Sequence, residues 1–235
     1  MMTLAIAHRG EPLLFRENTL PSIESAIDNG ADWVETDLKL TRDGVPVLLH
    51  DGTLARLWNH SQAIGSLSHA ELTALIGTGG WQIPTLRAAI GLSVSSRVPL
   101  MLDMGSLAEA RAAMALVREL DCLDGVVFTG GATALAQVRA CAPQACIAMT
   151  WKSPDLAGPD LLQRVRPDYL NQYHRLIDAP FVDRIHQMGM KVSAWTVDDP
   201  GRMQALAEIG VDAIISNDLR TLVGVLAPYR EPGGA

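Results

Sequence analysis

Glu35 and Asp37 stand two residues apart in the apolar run Trp33–Leu38, and Asp103 closes another such run, Leu100–Asp103. Along an extended strand the side chains alternate faces, so residues two apart project together. Two carboxylates held that close repel each other unless one is protonated or a cation lies between them. The economical arrangement is a hard divalent ion bound by oxygens of Glu35, Asp37 and Asp103 with waters completing its shell. His8 and Arg9 follow the first apolar run, Leu4–Ala7, and His50 follows the run Val45–Leu49. Any one of these acids could be an ordinary strand-end group paired with a neighbour such as Arg9. Three acids and two histidines from separate segments are poorly explained that way.

The elements that must gather them are written as a repeat. Six β-rich runs begin at residues 100, 126, 147, 169, 192 and 213, a spacing of 26, 21, 22, 23 and 21 residues. A strand, a loop and a three-turn helix need about that much chain, so the repeat reads as successive βα units. With the runs at Leu4–Ala7 and Trp33–Leu38 the count is eight, which predicts a single (β/α)8 TIM barrel over residues 1–235. Its functional groups belong at the C-terminal ends of the strands, where His8-Arg9, Glu35, Asp37 and Asp103 all fall. Glycines at 30, 125, 189 and 210 precede strands and are expected to end helices in the left-handed region. Asn18 or Thr19 is expected to cap the first helix, with Pro21 in its first turn.

Only Thr41-Arg42-Asp43-Gly44 separates the second strand from Val45–Leu49. A parallel crossover needs a dozen residues or more, so this link predicts a β-hairpin that returns His50 to the level of Asp37. The long interval from there to Leu100 holds helical patterns at Ser68–Leu75 and Thr85–Gly91, residues 52–80 of it read as a small rim insertion, and the tail Pro232–Ala235 reads as frayed.

The ordered set His8-Arg9-Gly10, Glu17-Asn18-Thr19, Glu35-Thr36-Asp37, His50-Asp51 with Arg56, Pro84-Thr85-Leu86, Trp195-Thr196-Val197 and Gly210-Val211-Asp212 resembles the glycerophosphodiester phosphodiesterase family. The likeness spans nearly the whole chain. It implies a barrel enzyme that hydrolyses small-molecule glycerophosphodiesters to an alcohol and sn-glycerol 3-phosphate with a bound Mg2+ or Ca2+. On that likeness His8 and His50 become the general acid–base pair, Glu35 and Asp37 metal ligands, and Arg9 a phosphate contact. It further implies that the substrate's own hydroxyl attacks first, giving a cyclic phosphate that water opens. Glu17 and Asn18 read as residues that cap the first helix and orient His8 or a metal ligand. Trp195, at a strand end, either packs against the glycerol or alcohol moiety or fills the barrel.

Two departures stand out. The family carries Glu-x-Lys at the end of the third barrel strand, where this chain has Asp103-Met104-Gly105. Asp103 still offers oxygens, one methylene shorter; the missing lysine is expected to be replaced by Lys152, just past the fifth strand. Two rival readings follow. One is a catalytically weakened barrel that binds a phosphorylated ligand. The other is a phospholipase-D-like enzyme acting on lysolipids or sphingolipids, which would need an apolar rim or secretion; the sequence offers neither.

Composition excludes other classes. With 19 Lys+Arg against 26 Asp+Glu the net charge is −7, so nucleic acid is not an expected partner. The start, MMTLAIAHRGE, has no basic leader, and no run is long enough to span a bilayer, so no membrane anchor and a cytoplasmic location are expected. The three cysteines (Cys122, Cys141, Cys146) read as buried thiols in a reducing compartment. Of the remaining histidines, His60 and His69 read as solvated or capping, His186 as an outer-surface residue, and His174 as lying at the active rim.

Overall fold

The computed structural model describes residues 2–77 and 81–229, so the tail expected to fray and the last three residues of the rim insertion lie outside the described residues. In chain order the elements are β1 (Leu4–His8), α1 (Leu20–Asp28), β2 (Trp33–Leu40), β3 (Pro46–Leu48), α2 (Ala55–Trp58), α3 (His69–Ile76), α4 (Leu86–Ser96), β4 (Leu100–Met104) and α5 (Leu107–Glu119). There follow β5 (Val126–Gly130), α6 (Ala132–Cys141), β6 (Cys146–Trp151), α7 (Pro159–Val165), β7 (Tyr169–Tyr173), α8 (Ala179–Gln187), β8 (Lys191–Trp195), α9 (Pro200–Glu208), β9 (Ala213–Ser216) and α10 (Leu219–Leu226).

Eight strands close into a parallel ring in the order β1, β2, β4, β5, β6, β7, β8, β9, with β9 paired back onto β1. This is a TIM barrel. β3 stands outside the ring, antiparallel to β2 with Leu38 opposite Leu48, so the link is a hairpin as its length demands; the turn expected at Asp43-Gly44 sits one residue earlier, at Arg42-Asp43, closed by the Gly44 N–H on the Thr41 carbonyl at 2.9 Å. Gly44 has φ +79°, a conformation glycine reaches without a Cβ clash.

Strand alternation divides the apolar residues into two cores. Ala5, Ala7, Val34, Leu100, Leu102 and Phe128 face outward and pack beneath the helices. Ile6, Met101, Val127, Ala148, Tyr169, Ala213 and Ile215 face inward and fill the barrel. The same alternation carries the inward face of β1, β2 and β4 on to His8, Glu35, Asp37 and Asp103, above that inner core. A third cluster (Val47, Leu49, Leu54, Trp58, Ile64, Leu72, Ile83) lies between β3 and the segment that carries α2 and α3.

Some local expectations change. Gly30, Gly189 and Gly210 have the expected positive φ, but Gly125 does not, because a 3-10 turn at Leu123–Gly125 leads straight into β5. Thr19 occupies the N-cap of α1 without capping it: its hydroxyl donates to the Arg16 carbonyl instead. Asn18 cannot cap either, since its amide is spent on Asp37. Cys141 is exposed at the end of α6 rather than buried, and Cys122 and Cys146 are only half-buried; all three are free thiols. His186 is not on the open surface: it is half-buried, its Nε2 2.8 Å from Asp212 Oδ2.

Candidate active site

Register fixes who meets whom. His8 lies beside Glu35 across the β1–β2 pair, and Asp37 lies beside Asp103 across the β2–β4 pair. One oxygen each of Glu35, Asp37 and Asp103 falls within 4.8 Å of the other two. Glu35 and Asp37 are buried. Burial, and then the charges of Asp37 and Asp103, push the Glu35 carboxyl well above its ordinary range. The same burial, with Asp37 beside it, pushes Asp103 up to about 6. Three acids crowded this way, two of them resisting ionisation, form a cluster that a cation would relieve.

The neighbours leave room for one. Asp37 Oδ2 accepts from Asn18 Nδ2 at 2.8 Å and lies 2.9 Å from Arg9 Nε, while Asn18 Oδ1 accepts the Asp37 backbone N–H at 3.0 Å. Glu35 Oε2 accepts the Arg9 backbone N–H at 3.2 Å. Glu35 and Asp37 thus each commit one oxygen to protein donors, while among the described residues their other oxygens make no hydrogen bond or ion pair. Asn18, at φ +57°, holds Asp37 through those two hydrogen bonds; Glu17 holds Arg9, with Oε1 accepting from Arg9 Nη1 at 3.0 Å.

A cavity of about 200 Å³ is lined by His8, Arg9, Glu35, Asp37, His50, Asp103, Lys152 and Trp195, so every group expected at the chemistry meets in one place. His8 is nearly buried, and burial, helped by Arg9, lowers its affinity for a proton. His50 is half-exposed, with Nδ1 2.6 Å from Asp51 Oδ1. Trp195 does not choose between its two roles: it borders the cavity, packs against the inner core, and donates from Nε1 to the Asn171 carbonyl at 2.9 Å. Lys152 Nζ sits 4.9 Å from the centre of its ring. His174 lies on a 3-10 turn beyond β7, outside the lining, edge-on to Tyr173.

Sequence reasoning missed several contributors. Thr129, Thr150 and Asn171 form the far wall, joined by Thr129 Oγ1 to Thr150 Oγ1 (3.0 Å) and Asn171 Nδ2 to Thr150 Oγ1 (3.3 Å). Their only signal was a polar residue at an inward strand position. Lys39, two residues past Asp37, places its charge near Asp103 and its Nζ 3.8 Å from Glu109 Oε1. The apolar rim judged absent is partly there: Leu13 and Leu14, in the loop after β1, are 67% and 56% exposed. A larger cavity, about 600 Å³, opens between α1, α3 and α4 and is lined by none of the acids.

Among known proteins, the chain matches the model of the glycerophosphoryl diester phosphodiesterase family over residues 8–221. It is 28% identical to a glycerophosphodiester phosphodiesterase of Arabidopsis thaliana, over 97% of this chain and 74% of that protein. It is also 28% identical to one from Caldanaerobacter subterraneus, over 96% of this chain and 98% of that protein. Its fold superposes on an Oleispira antarctica phosphodiesterase solved with the product sn-glycerol-3-phosphate, with TM-score 0.88 and 26% identity over 96% of this chain and 97% of the other.

Proposed function

The chain belongs to the glycerophosphoryl diester phosphodiesterase family, and we propose that it hydrolyses small glycerophosphodiesters to an alcohol and sn-glycerol 3-phosphate with a divalent cation at the acid cluster. As a member of that family it is a phosphoric diester hydrolase. The observation that carries the finer reading is the single cavity that gathers His8, His50, Arg9 and the three acids.

Glu35, Asp37 and Asp103 would hold the cation, Mg2+ or Ca2+, which when bound offsets charge on the non-bridging phosphate oxygens. Arg9 and Lys152 bind the phosphate and hold it in line with the two histidines. His8, nearly buried and thereby favoured in its neutral form, accepts a proton at Nε2 from the attacking hydroxyl as the new O–P bond forms. His50, backed by the Asp51 carboxylate, returns a proton to the alkoxide as the old P–O bond breaks. Attack by the substrate's own hydroxyl thus leaves His8 protonated and His50 neutral, so when water opens the cyclic phosphate the roles reverse: His50 takes the proton from water and His8 returns one to the departing glycerol oxygen.

The test is release of glycerol 3-phosphate from glycerophosphocholine, glycerophosphoethanolamine, a lysolipid and an aryl phosphodiester, with and without EDTA. Metal content is compared between the wild type and Glu35→Gln. EDTA-sensitive release and loss of bound metal in the variant are expected. No release from any diester, with metal content unchanged in the variant, overturns the reading. The exposed Leu13 and Leu14 favour a second reading, turnover of the lysolipid, which the same panel separates.

A further inference from the structure

An unbroken line of ion pairs runs along the rim from His50 to Asp37. Asp51 accepts from His50 at 2.6 Å with one oxygen and from Arg56 Nε at 2.6 Å with the other. Arg56 Nη2 and Nη1 donate to the two oxygens of Glu17 at 2.6 and 3.1 Å. Glu17 then accepts from Arg9, whose Nε reaches Asp37. Arg56 is the member that touches none of the cavity groups directly. It stands on the four-residue helix α2, yet three of its nitrogens are committed to two carboxylates from different loops.

A single exposed ion pair contributes little, because solvent screens it and two long side chains must be ordered. Arg56 differs in geometry. Its planar fork meets Glu17 with two parallel bonds and fixes the distance from there to Asp51. Glu17 is mostly buried; burial alone would raise its carboxyl, but the bonds from Arg56 and Arg9 outweigh burial and hold it below the usual range. Arg56 is also the largest cause of the lowered Asp51 carboxyl.

We propose that Arg56 is a positioning residue that braces the loop after β1 against the loop after β3, so that Glu17 aims Arg9 while Asp51 sets the ring of His50. The proposal rests on the phosphodiesterase reading only for what Arg9 and His50 then do. Loosening the brace leaves every cavity group in place but misaligns two of them, and misplacement by an ångström costs on the order of 100-fold in rate.

The experiment uses the full chain. In Arg56→Ala, kcat on the best glycerophosphodiester should fall ~10- to 100-fold with a smaller change in KM. The melting temperature should move by only a few degrees, since the lost contacts are at the surface. Arg56→Lys should not recover it, because one ammonium cannot span both carboxylates, whereas added methylguanidinium, but not methylammonium, should partly restore Arg56→Ala. A kcat within about twofold of wild type, or equal rescue by either cation, overturns the proposal. If the wild type turns over no diester, the phosphodiesterase reading fails, and the brace is decided by nitrogen NMR of the His50 ring. A predominantly Nδ1-protonated ring in wild type that reverts to the mixed solution form in Arg56→Ala supports it; an unchanged ring overturns it.

Discussion

His8 Nδ1 lies 2.7 Å from Asn217 Oδ1, and that contact sets which nitrogen of the ring the site can use. Asn217 donates its amide nitrogen to Asp198 Oδ2 at 2.8 Å and its backbone N–H to Asp198 Oδ1 at 2.8 Å, so its carbonyl oxygen is the acceptor facing His8. The neutral ring therefore carries its hydrogen on Nδ1. Nε2, 3.8 Å from Glu35 Oε2, keeps a lone pair toward the cavity.

Asn217→Asp places a carboxylate where the amide oxygen was and makes the protonated ring easier to form. If His8 is the base, the acid limb of the kcat/KM profile should move up by about one pH unit. Asn217→Leu leaves Nδ1 without an acceptor and should cost ~10-fold in kcat without that movement. Profiles of wild type and both variants, measured at saturating metal, decide it.

The acid cluster should write itself into stability against pH. Glu35 and Asp103 bind protons more tightly folded than unfolded, so their contribution is complete below the unfolded carboxylate range and is lost as pH rises through the folded values. For Asp103 that window runs from near 4 to about 6, and its loss amounts to about 3 kcal/mol. In EDTA, melting temperature should fall across the window by several degrees, and Mg2+ or Ca2+ at pH 7.5 should restore it. Asp103→Asn should flatten the EDTA curve and weaken the restoration. A wild-type curve equally flat in EDTA would contradict the burial argument.

Much of this site could be read from residue types and spacing, and the part that could not has a common cause. His8, Glu35, Asp37 and Asp103 fall at strand ends, and the 21–26 residue repeat already places those ends on one rim. Lys39, Asn171 and Asn217 become visible only once strands are set side by side, because each acts on a partner from a different βα unit. The missed cap on α1 has the same origin. Asn18 is a good capping residue by type, but the buried carboxylate of Asp37, on the neighbouring strand β2, competes for its amide and wins. Gly125 failed for a local reason, a 3-10 turn that needs no left-handed residue.

Gly130 is a backbone requirement of the same cluster. It ends β5 at φ +117°, and a Cβ there would lie 2.3 Å from the Met104 carbonyl oxygen and 2.6 Å from Asp103 Oδ1. Both neighbours belong to β4, so neither can give way without moving the acid. Gly130→Ala should lose ~1–3 kcal/mol of stability in denaturant melts. It should also weaken metal binding in calorimetry more than Gly131→Ala, where the added carbon meets open space.

Two lysines compete for the place of the one missing at Gly105. β2 runs level with β4 at Asp37 and Asp103, so Lys39, two residues on, comes level with Gly105. Its charge is already engaged, however: Nζ donates to the Leu38 carbonyl at 3.0 Å and lies near Glu109, and it serves to ease Asp103 toward ionisation. Lys152 borders the cavity over the ring of Trp195, and its Nζ makes no ion pair among the described residues. A cation with no carboxylate partner is the one an incoming phosphate can recruit at little desolvation cost. Lys152→Ala should therefore raise KM by about 10-fold, or about 1.4 kcal/mol, and leave metal affinity unchanged. Lys39→Ala should leave KM within about twofold while raising the pH at which Asp103 ionises. Steady-state kinetics on both variants, with metal titrated calorimetrically, separate the two, and a KM effect confined to Lys39→Ala would assign the phosphate contact to β2 instead.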